Sequence, residues 1–353
     1  MKRYCSPLMS GLLVLSPLLP CVPEAVAKDS TSAIFGKPPI TMLYDTRFEA
    51  HDPGPEHPEQ AHRVSAIVER LQQPSWQPLL RWPAFSAATR ADLLRVHSVA
   101  YLDLLDAEQA RVHAGEHRLL STGDTVISPQ SVAVATLASG AGMAGVDALM
   151  SEPSATAFAL VRPPGHHATR DRGMGFCLIN HIAVAARYAQ QRYAIQRILI
   201  IDIDVHHGNG TQAIFEADNS VFYFSAHQHP LYPGSGRPSE QGIGAGLGYT
   251  MNVDVPPGSN EQVLLHALAQ QLAPAMQQFR PQLILVSAGL DAHAGDRLGA
   301  LQYSDAGYGN IATRIKQLAE TYAQGRMLWL LEGGYVPVQN ANAVEAILRA
   351  LLR

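Results

Sequence analysis

From residue 40 onward the chain alternates between two patterns. Short, near-continuous apolar runs occupy residues 40–44, 157–161, 198–201, 221–224, 283–286 and 327–331. Longer stretches with apolar residues three and four apart occupy 61–72, 131–150, 180–191, 261–279, 305–323 and 340–352. Apolar runs without a polar face suit strands covered on both sides, and the longer stretches have the period of helices. Their alternation predicts an α/β fold: a single domain on a central, mostly parallel sheet with helices on both faces. No repeat or low-complexity segment interrupts it. The glycine-rich stretch 233–248 reads as a long surface loop rather than a domain boundary.

The first residues follow another pattern. Lys2 and Arg3 precede an apolar stretch, 8–19, that is too short and too proline-interrupted to span a bilayer, and Ala25-Val26-Ala27 has the small-x-small form of a cleavage site. This predicts a signal peptide over residues 1–27, cleaved after Ala27, a flexible lead-in over 28–39, and one folded domain over 40–353, secreted or periplasmic. A frayed apolar N-terminus is the plain alternative. Lipidation at Cys21 is another, and Pro20 directly before it speaks against that. After cleavage only Cys177 remains, so stability rests on the core rather than on a disulfide.

Composition narrows the partners. A hydrophobic share of 47% supplies a sizeable core, and a net charge of −4 without any long Lys/Arg block gives no footprint for nucleic acid. No stretch reads as a stable membrane span, and the oligomeric state is unknown.

Four apolar runs lead directly into polar clusters, and in an open parallel sheet ligands bind beyond the carboxyl ends of the strands. Residues 198–201 run into Asp202-Ile203-Asp204-Val205-His206-His207. In extended chain Asp202, Asp204 and His206 share one side, although a turn is expected near His206, and two carboxylates with an imidazole suit a borderline divalent ion such as zinc. The bland alternative is a capped strand-to-helix turn. Residues 283–286 lead to Asp291, the third ligand beside Asp204 and His206. Three protein ligands leave a coordination position open, as at catalytic sites. His293 and Asp296 after it read as loop residues. Residues 157–161 lead to Arg162-Pro163-Pro164-Gly165-His166-His167, whose paired histidines suit proton transfer, metal ligation, or a satisfied structural role. Residues 327–331 lead to Glu332-Gly333-Gly334-Tyr335, where Tyr335 either donates its hydroxyl to a developing oxyanion or is a loop aromatic.

At these residues the chain resembles the histone deacetylase and acetylpolyamine amidohydrolase superfamily, on the class II and bacterial side. The shared text is Arg162 to Ala168, Gly175-Phe176-Cys177, Asp202 to Thr211, Ser287 to His293 and Glu332 to Tyr335, with weaker support from His57-Pro58-Glu59, Arg63, Val96-His97-Ser98 and Tyr101. The resemblance implies an arginase-like α/β domain and a zinc-dependent amidohydrolase, with iron(II) an alternative ion. Zinc would be held by Asp204, His206 and Asp291. His166 and His167 would transfer protons, Asp202 would orient His166, and Tyr335 would polarise the carbonyl. Gly175, Phe176 and Tyr232 would line the channel, Arg63 would sit at its foot, and a structural potassium would bind Asp202 and Ser225. The implied substrate is a small-molecule or peptide acyl-amide.

Three positions depart from some relatives. Asn209 stands where class I enzymes carry an aspartate, Tyr232 where phenylalanine is usual, and Leu298 where polyamine-selective relatives carry a glutamate. The last leans toward acyl-lysine-like or uncharged amides, unless Asp103 or Asp106 supplies a rim charge. Two other readings compete: a binuclear manganese ureohydrolase, and a secreted protein that binds acylated amines without hydrolysing them.

Overall fold

The computed structural model describes residues 38–152 and 155–353. The expected signal peptide, its cleavage site and most of the lead-in lie outside the described residues.

Ten strands are present among them: β1 (Ile40–Leu43), β2 (Leu80–Arg81), β3 (Arg118–Leu119), β4 (Val126–Ile127), β5 (Thr156–Ala159), β6 (Ile198–Asp202), β7 (Val221–Gln228), β8 (Thr250–Val255), β9 (Leu283–Ala288) and β10 (Met327–Leu331). Eight form one sheet in the order β2-β1-β5-β10-β9-β6-β7-β8, and every neighbouring pair is parallel. The sheet is thus wholly parallel, and β3 with β4 makes a separate antiparallel hairpin.

Side chains that alternate along the central strands feed two apolar cores. Leu199, Ile201, Ile284, Val286, Trp329 and Leu331 pack with the helices Gln262–Ala267, Asp305–Tyr322 and Pro337–Leu352. Ile198, Ile200, Leu283, Leu285, Leu328 and Leu330 pack with Ser131–Ser151 and His181–Tyr193. Both faces of β6, β9 and β10 are therefore buried, which is why these strands carry no polar alternation. Trp329 is fully buried, and Trp329→Ala is expected to cost about 3–5 kcal/mol. The most apolar helix, Ser131–Ser151, is long enough to cross a membrane by composition, but its apolar residues are spent on this core.

Several elements differ from expectation. The helix expected over residues 261–279 contains a π turn, Leu268–Leu272, between Gln262–Ala267 and Ala273–Phe279. Pro274 has no N–H to give to the carbonyl four residues back, and the widened turn precedes it. Strand β7 runs on to Gln228. The helix Val99–Gln109, the edge strands β2 and β8, and the β3–β4 hairpin were not expected.

Candidate active site

Adjacent strands β5, β10, β9 and β6 end side by side, so their following loops meet. Strand β6 stops at Asp202 and the chain bends at once. The turn expected near His206 therefore comes earlier, directly after Asp202, and the three side chains do not share one side. Asp202 turns to His166, while Asp204 and His206 meet Asp291 from the end of β9. His206 Nδ1 lies 3.0 Å from Asp204 Oδ1 and 3.2 Å from Asp291 Oδ2. One potential donor atom from each of these three residues lies within 4.8 Å of the others. Glycines make the approach possible: a Cβ on Gly289 would stand 2.1 Å from Asp204 Oδ2, and one on Gly333 2.1 Å from Asp291 Oδ2.

The charges around this point are unbalanced. Backbone amides of His206, Gly333 and Val205 satisfy Asp204 Oδ1, Asp204 Oδ2 and Asp291 Oδ1, each at 2.9 Å. Asp291 Oδ2 is buried and receives no hydrogen bond among the described residues. Burial and the charge of Asp204 push Asp291 up to about 7. Burial acts to lower His206, but its hydrogen bond to Asp204 and the charges of the nearby Asp204 and Asp291 carboxylates outweigh that and raise it to about 10. Two buried carboxylates draw a proton onto the imidazole between them, and a divalent cation fits the same place with the same O, N, O donor set.

The tandem histidines have unlike partners. His166 Nδ1 is 3.0 Å from Asp202 Oδ2, which also accepts from the Tyr223 hydroxyl at 3.1 Å. His167 Nδ1 is 2.8 Å from Asn209 Oδ1. Burial opposes protonation of His166, but Asp204 and Asp202 raise it to about 10. Burial and the neighbouring His166 and His206 drive His167 well below its usual value. Their rings are 4.0 Å apart, so a charge on one excludes a charge on the other.

A cavity of about 240 Å³ opens onto these groups, lined by Asp124, His167, Gly175, Phe176, His206, Leu231, Tyr232, Leu298 and Tyr335. A Cβ on Gly175 would stand 2.3 Å from the His167 ring, and Phe176 adopts φ +68°, a left-handed conformation rare outside glycine. Tyr335 packs edge-on against Phe176 at 5.9 Å between ring centroids, with the Arg63 guanidinium 4.7 Å from its ring centre. Its hydroxyl makes no hydrogen bond among the described residues. Arg63 is buried and donates to the carbonyls of Glu332 and Gly334 at 2.5 Å each, fixing the turn that carries Tyr335. Asp202 and Ser225 are register partners on β6 and β7, both buried, with Ser225 Oγ 2.8 Å from His227 Nδ1.

The sequence reading missed several residues at this site. Asp124, after β3, accepts from Gly175 N at 2.7 Å and from the Tyr232 hydroxyl at 3.4 Å. It is the rim carboxylate; Asp103 and Asp106 instead pair with Arg90 on the exposed face of the helix Val99–Gln109. Asp296 Oδ2 holds Tyr335 N at 2.7 Å. A second cluster of potential donors, His166, Cys177 and Glu332, has its atoms committed: Glu332 accepts from Gly165 N, His166 N and the Ser287 hydroxyl. A buried acid needs such partners, and that was a usable signal for Glu332. Nothing local marks Asp124, whose hairpin strands are two residues each.

Residues 57–351 match the family model of the histone deacetylase domain. The chain belongs to the histone deacetylase family. This family member is 40% identical over 310 residues to histone deacetylase 14, chloroplastic, of Arabidopsis thaliana, covering 84% of this chain and 73% of that one. It is 37% identical over 287 residues to the histone deacetylase-like amidohydrolase of Pseudomonas aeruginosa, covering 79% and 72%. Its fold matches the crystal structure of the HDA15 HD domain with a TM-score of 0.80 at 34% identity, over 88% of this chain and 90% of that one. It is a histone deacetylase-family amidohydrolase, a class of hydrolases acting on amides.

Proposed function

We propose that this amidohydrolase is a zinc-dependent deacylase, cleaving the amide of an acyl-lysine-like side chain or an acylated small amine. The observation that carries the metal reading is the meeting of Asp204, His206 and Asp291 around one point, with a buried Asp291 oxygen lacking a donor. These three residues hold the ion, for which iron(II) is the alternative. When bound, such an ion supplies Lewis-acid polarisation and lowers the pKa of water.

The chain's own groups perform the rest. His167 stays neutral beside Asn209 and accepts the proton of the attacking water at Nε2, its Nδ1 being taken by the amide. His166, held by Asp202, supports the charge that follows. Tyr335 has a free hydroxyl to donate to the developing oxyanion. Phe176, Gly175, Tyr232 and Leu298 exclude water around the arm, and Asp124 offers its unused oxygen to a donor at the mouth. Leu298 adds no charge there, so the charge at the mouth is that of Asp124.

A structural potassium at Asp202 and Ser225 belongs to the same proposal. His227 Nε2 faces the Gly236 carbonyl at 3.1 Å and so carries the ring proton. Ser225 then donates to Nδ1 and keeps its lone pairs for a cation. We read residues 1–27 as a leader, which would put the mature protein outside the cytoplasm and point to acylated small amines, peptides or cell-wall fragments as substrates.

The test is a screen of the metal-loaded mature protein against acyl-lysine peptides and acetylated polyamines, with metal counted per chain. One transition-metal ion per chain, turnover lost on chelation and turnover restored by zinc are expected. Two transition-metal ions per chain would favour a binuclear ureohydrolase, and tight binding without turnover a binding protein.

A further inference from the structure

Glu332 lies at the end of β10, between β5 and β9 in the sheet. Its side chain reaches both neighbours. Oε2 accepts from Gly165 N at 2.6 Å and from His166 N at 3.1 Å, in the turn that follows β5. Oε1 is 3.0 Å from the Ser287 hydroxyl in β9. Glu332 is itself fixed: its N–H donates to the Ala288 carbonyl at 3.1 Å, and Arg63 donates to its own carbonyl at 2.5 Å. Glu332, Gly165, His166 and Ser287 are all buried, so no water replaces a missing acceptor.

We propose that Glu332 is the positioning residue of the tandem histidines, tying the Gly165-His166 turn to the neighbouring strand ends so that both imidazoles keep their partners. The proposal rests on the hydrolase reading for its kinetic consequence, but its geometric content stands apart from that reading.

The reason is local. Pro163 and Pro164 have no N–H, so the first amides that can secure this turn are those of Gly165 and His166. Both point at one oxygen of Glu332. The amide of His167 is only 3.4 Å from the Cys177 sulfur, a weak acceptor. If the turn slips, His166 Nδ1 leaves Asp202 and His167 Nδ1 leaves Asn209, and a misplacement of an ångström costs roughly 100-fold in rate. Oε2 performs this task in either protonation state, since a proton on Oε1 can face the Ser287 oxygen. A glutamine reproduces that arrangement, with its carbonyl toward the two amides and its NH2 toward Ser287. An alanine leaves two buried N–H groups unpaired.

The experiment compares Glu332→Ala, Glu332→Gln and Ser287→Ala in the zinc-loaded mature protein. Amide hydrogen exchange at Gly165 and His166, bound metal, kcat and KM are measured. In Glu332→Ala both amides lose protection by roughly 100-fold while β10 keeps its own. Turnover falls by roughly 100-fold, with KM and metal content unchanged. Glu332→Gln recovers both readouts to within about five-fold, and Ser287→Ala, which loses one leg of the tie, stays near wild type in both. Should Glu332→Ala fail to fold, Glu332→Gln carries the test through the protection of its Gly165 and His166 amides. The proposal is overturned by unchanged exchange at Gly165 and His166 in Glu332→Ala, by unchanged kcat in that variant, or by a glutamine variant that has lost protection at both amides. A wild-type protein without turnover would remove the hydrolase reading and leave the exchange measurement to decide the anchoring.

Discussion

His167 Nδ1 lies 2.8 Å from Asn209 Oδ1, so the histidine that lines the channel leans on a neutral amide. Its neighbour His166 leans on the carboxylate of Asp202 at 3.0 Å. The two rings touch, yet only His166 has a carboxylate on its Nδ1, and this asymmetry is the ground for proposing His167 as the base. Asn209→Asp would give His167 an anion as well and raise its pKa. A base is active when unprotonated, and its activity falls as pH drops through its pKa. A raised pKa therefore moves the acid limb of kcat/KM to higher pH. The pH–rate profile of Asn209→Asp checks this, and an unmoved acid limb would remove His167 from that role.

Tyr335→Phe tests the oxyanion donor. The ring contacts with Arg63 and Phe176 persist in phenylalanine, and Tyr335 N still donates to Asp296. Only the hydroxyl is lost. The expected loss is about 2.7–4 kcal/mol of barrier, with bound metal unchanged. Turnover and metal content measured on one sample decide it, and near-normal turnover would exclude Tyr335 from the chemistry.

The sequence was informative where burial is two-sided and poor where it is not. Strands β5, β6, β9 and β10 are apolar on both faces, so their runs were visible and the polar clusters at their ends marked the site. Strand β8, at the sheet edge, mixes buried and half-buried residues over Thr250–Val255 and left no such run. The helix Val99–Gln109 has no clear apolar stripe, and only its cap, Ser98 accepting from Tyr101 N, carries a helix signal. The bend after Asp202 was invisible to an alternation argument, because period-two reasoning holds only while the chain stays extended. The rim was least legible: Asp124 reaches the channel through a tertiary contact with Gly175, 51 residues away.

That rim gives a graded prediction. The Tyr232 hydroxyl reaches Asp124 at 3.4 Å in an exposed setting, a long and weak contact. Tyr232→Phe keeps the aromatic wall against His167 and should raise KM by no more than about five-fold. Asp124→Ala also releases Gly175 N, bound at 2.7 Å, and should raise KM by about ten-fold or more. If the two substitutions share one interaction, their double variant is no worse than Asp124→Ala alone, and a double-mutant cycle in kcat/KM reads this directly.

Beneath the site, Glu59 carries a prediction about acid stability. It is fully buried between two guanidiniums: Arg63 Nη1 donates at 2.6 Å, and Arg162 donates through Nε at 2.8 Å and Nη2 at 2.7 Å. Burial alone would raise its pKa, but Arg162 and Arg63 outweigh burial and hold it at about 2, against an ordinary 4.5. A folded-state pKa below the unfolded one contributes stability that is complete above the unfolded value. That contribution is lost as pH falls from about 4.5 through about 2. Glu59→Gln leaves two buried guanidiniums with one neutral partner, and at neutral pH it should cost about 3–5 kcal/mol. As pH falls, the wild type protonates Glu59 and loses the same charge, so the gap between the two proteins should narrow across that window. Urea midpoints of both proteins at pH steps through this range provide the comparison. Other carboxylates titrate equally in the two chains and cancel in the difference. A gap that stays constant down to the lowest pH would mean that Glu59 is not held ionised by Arg63 and Arg162.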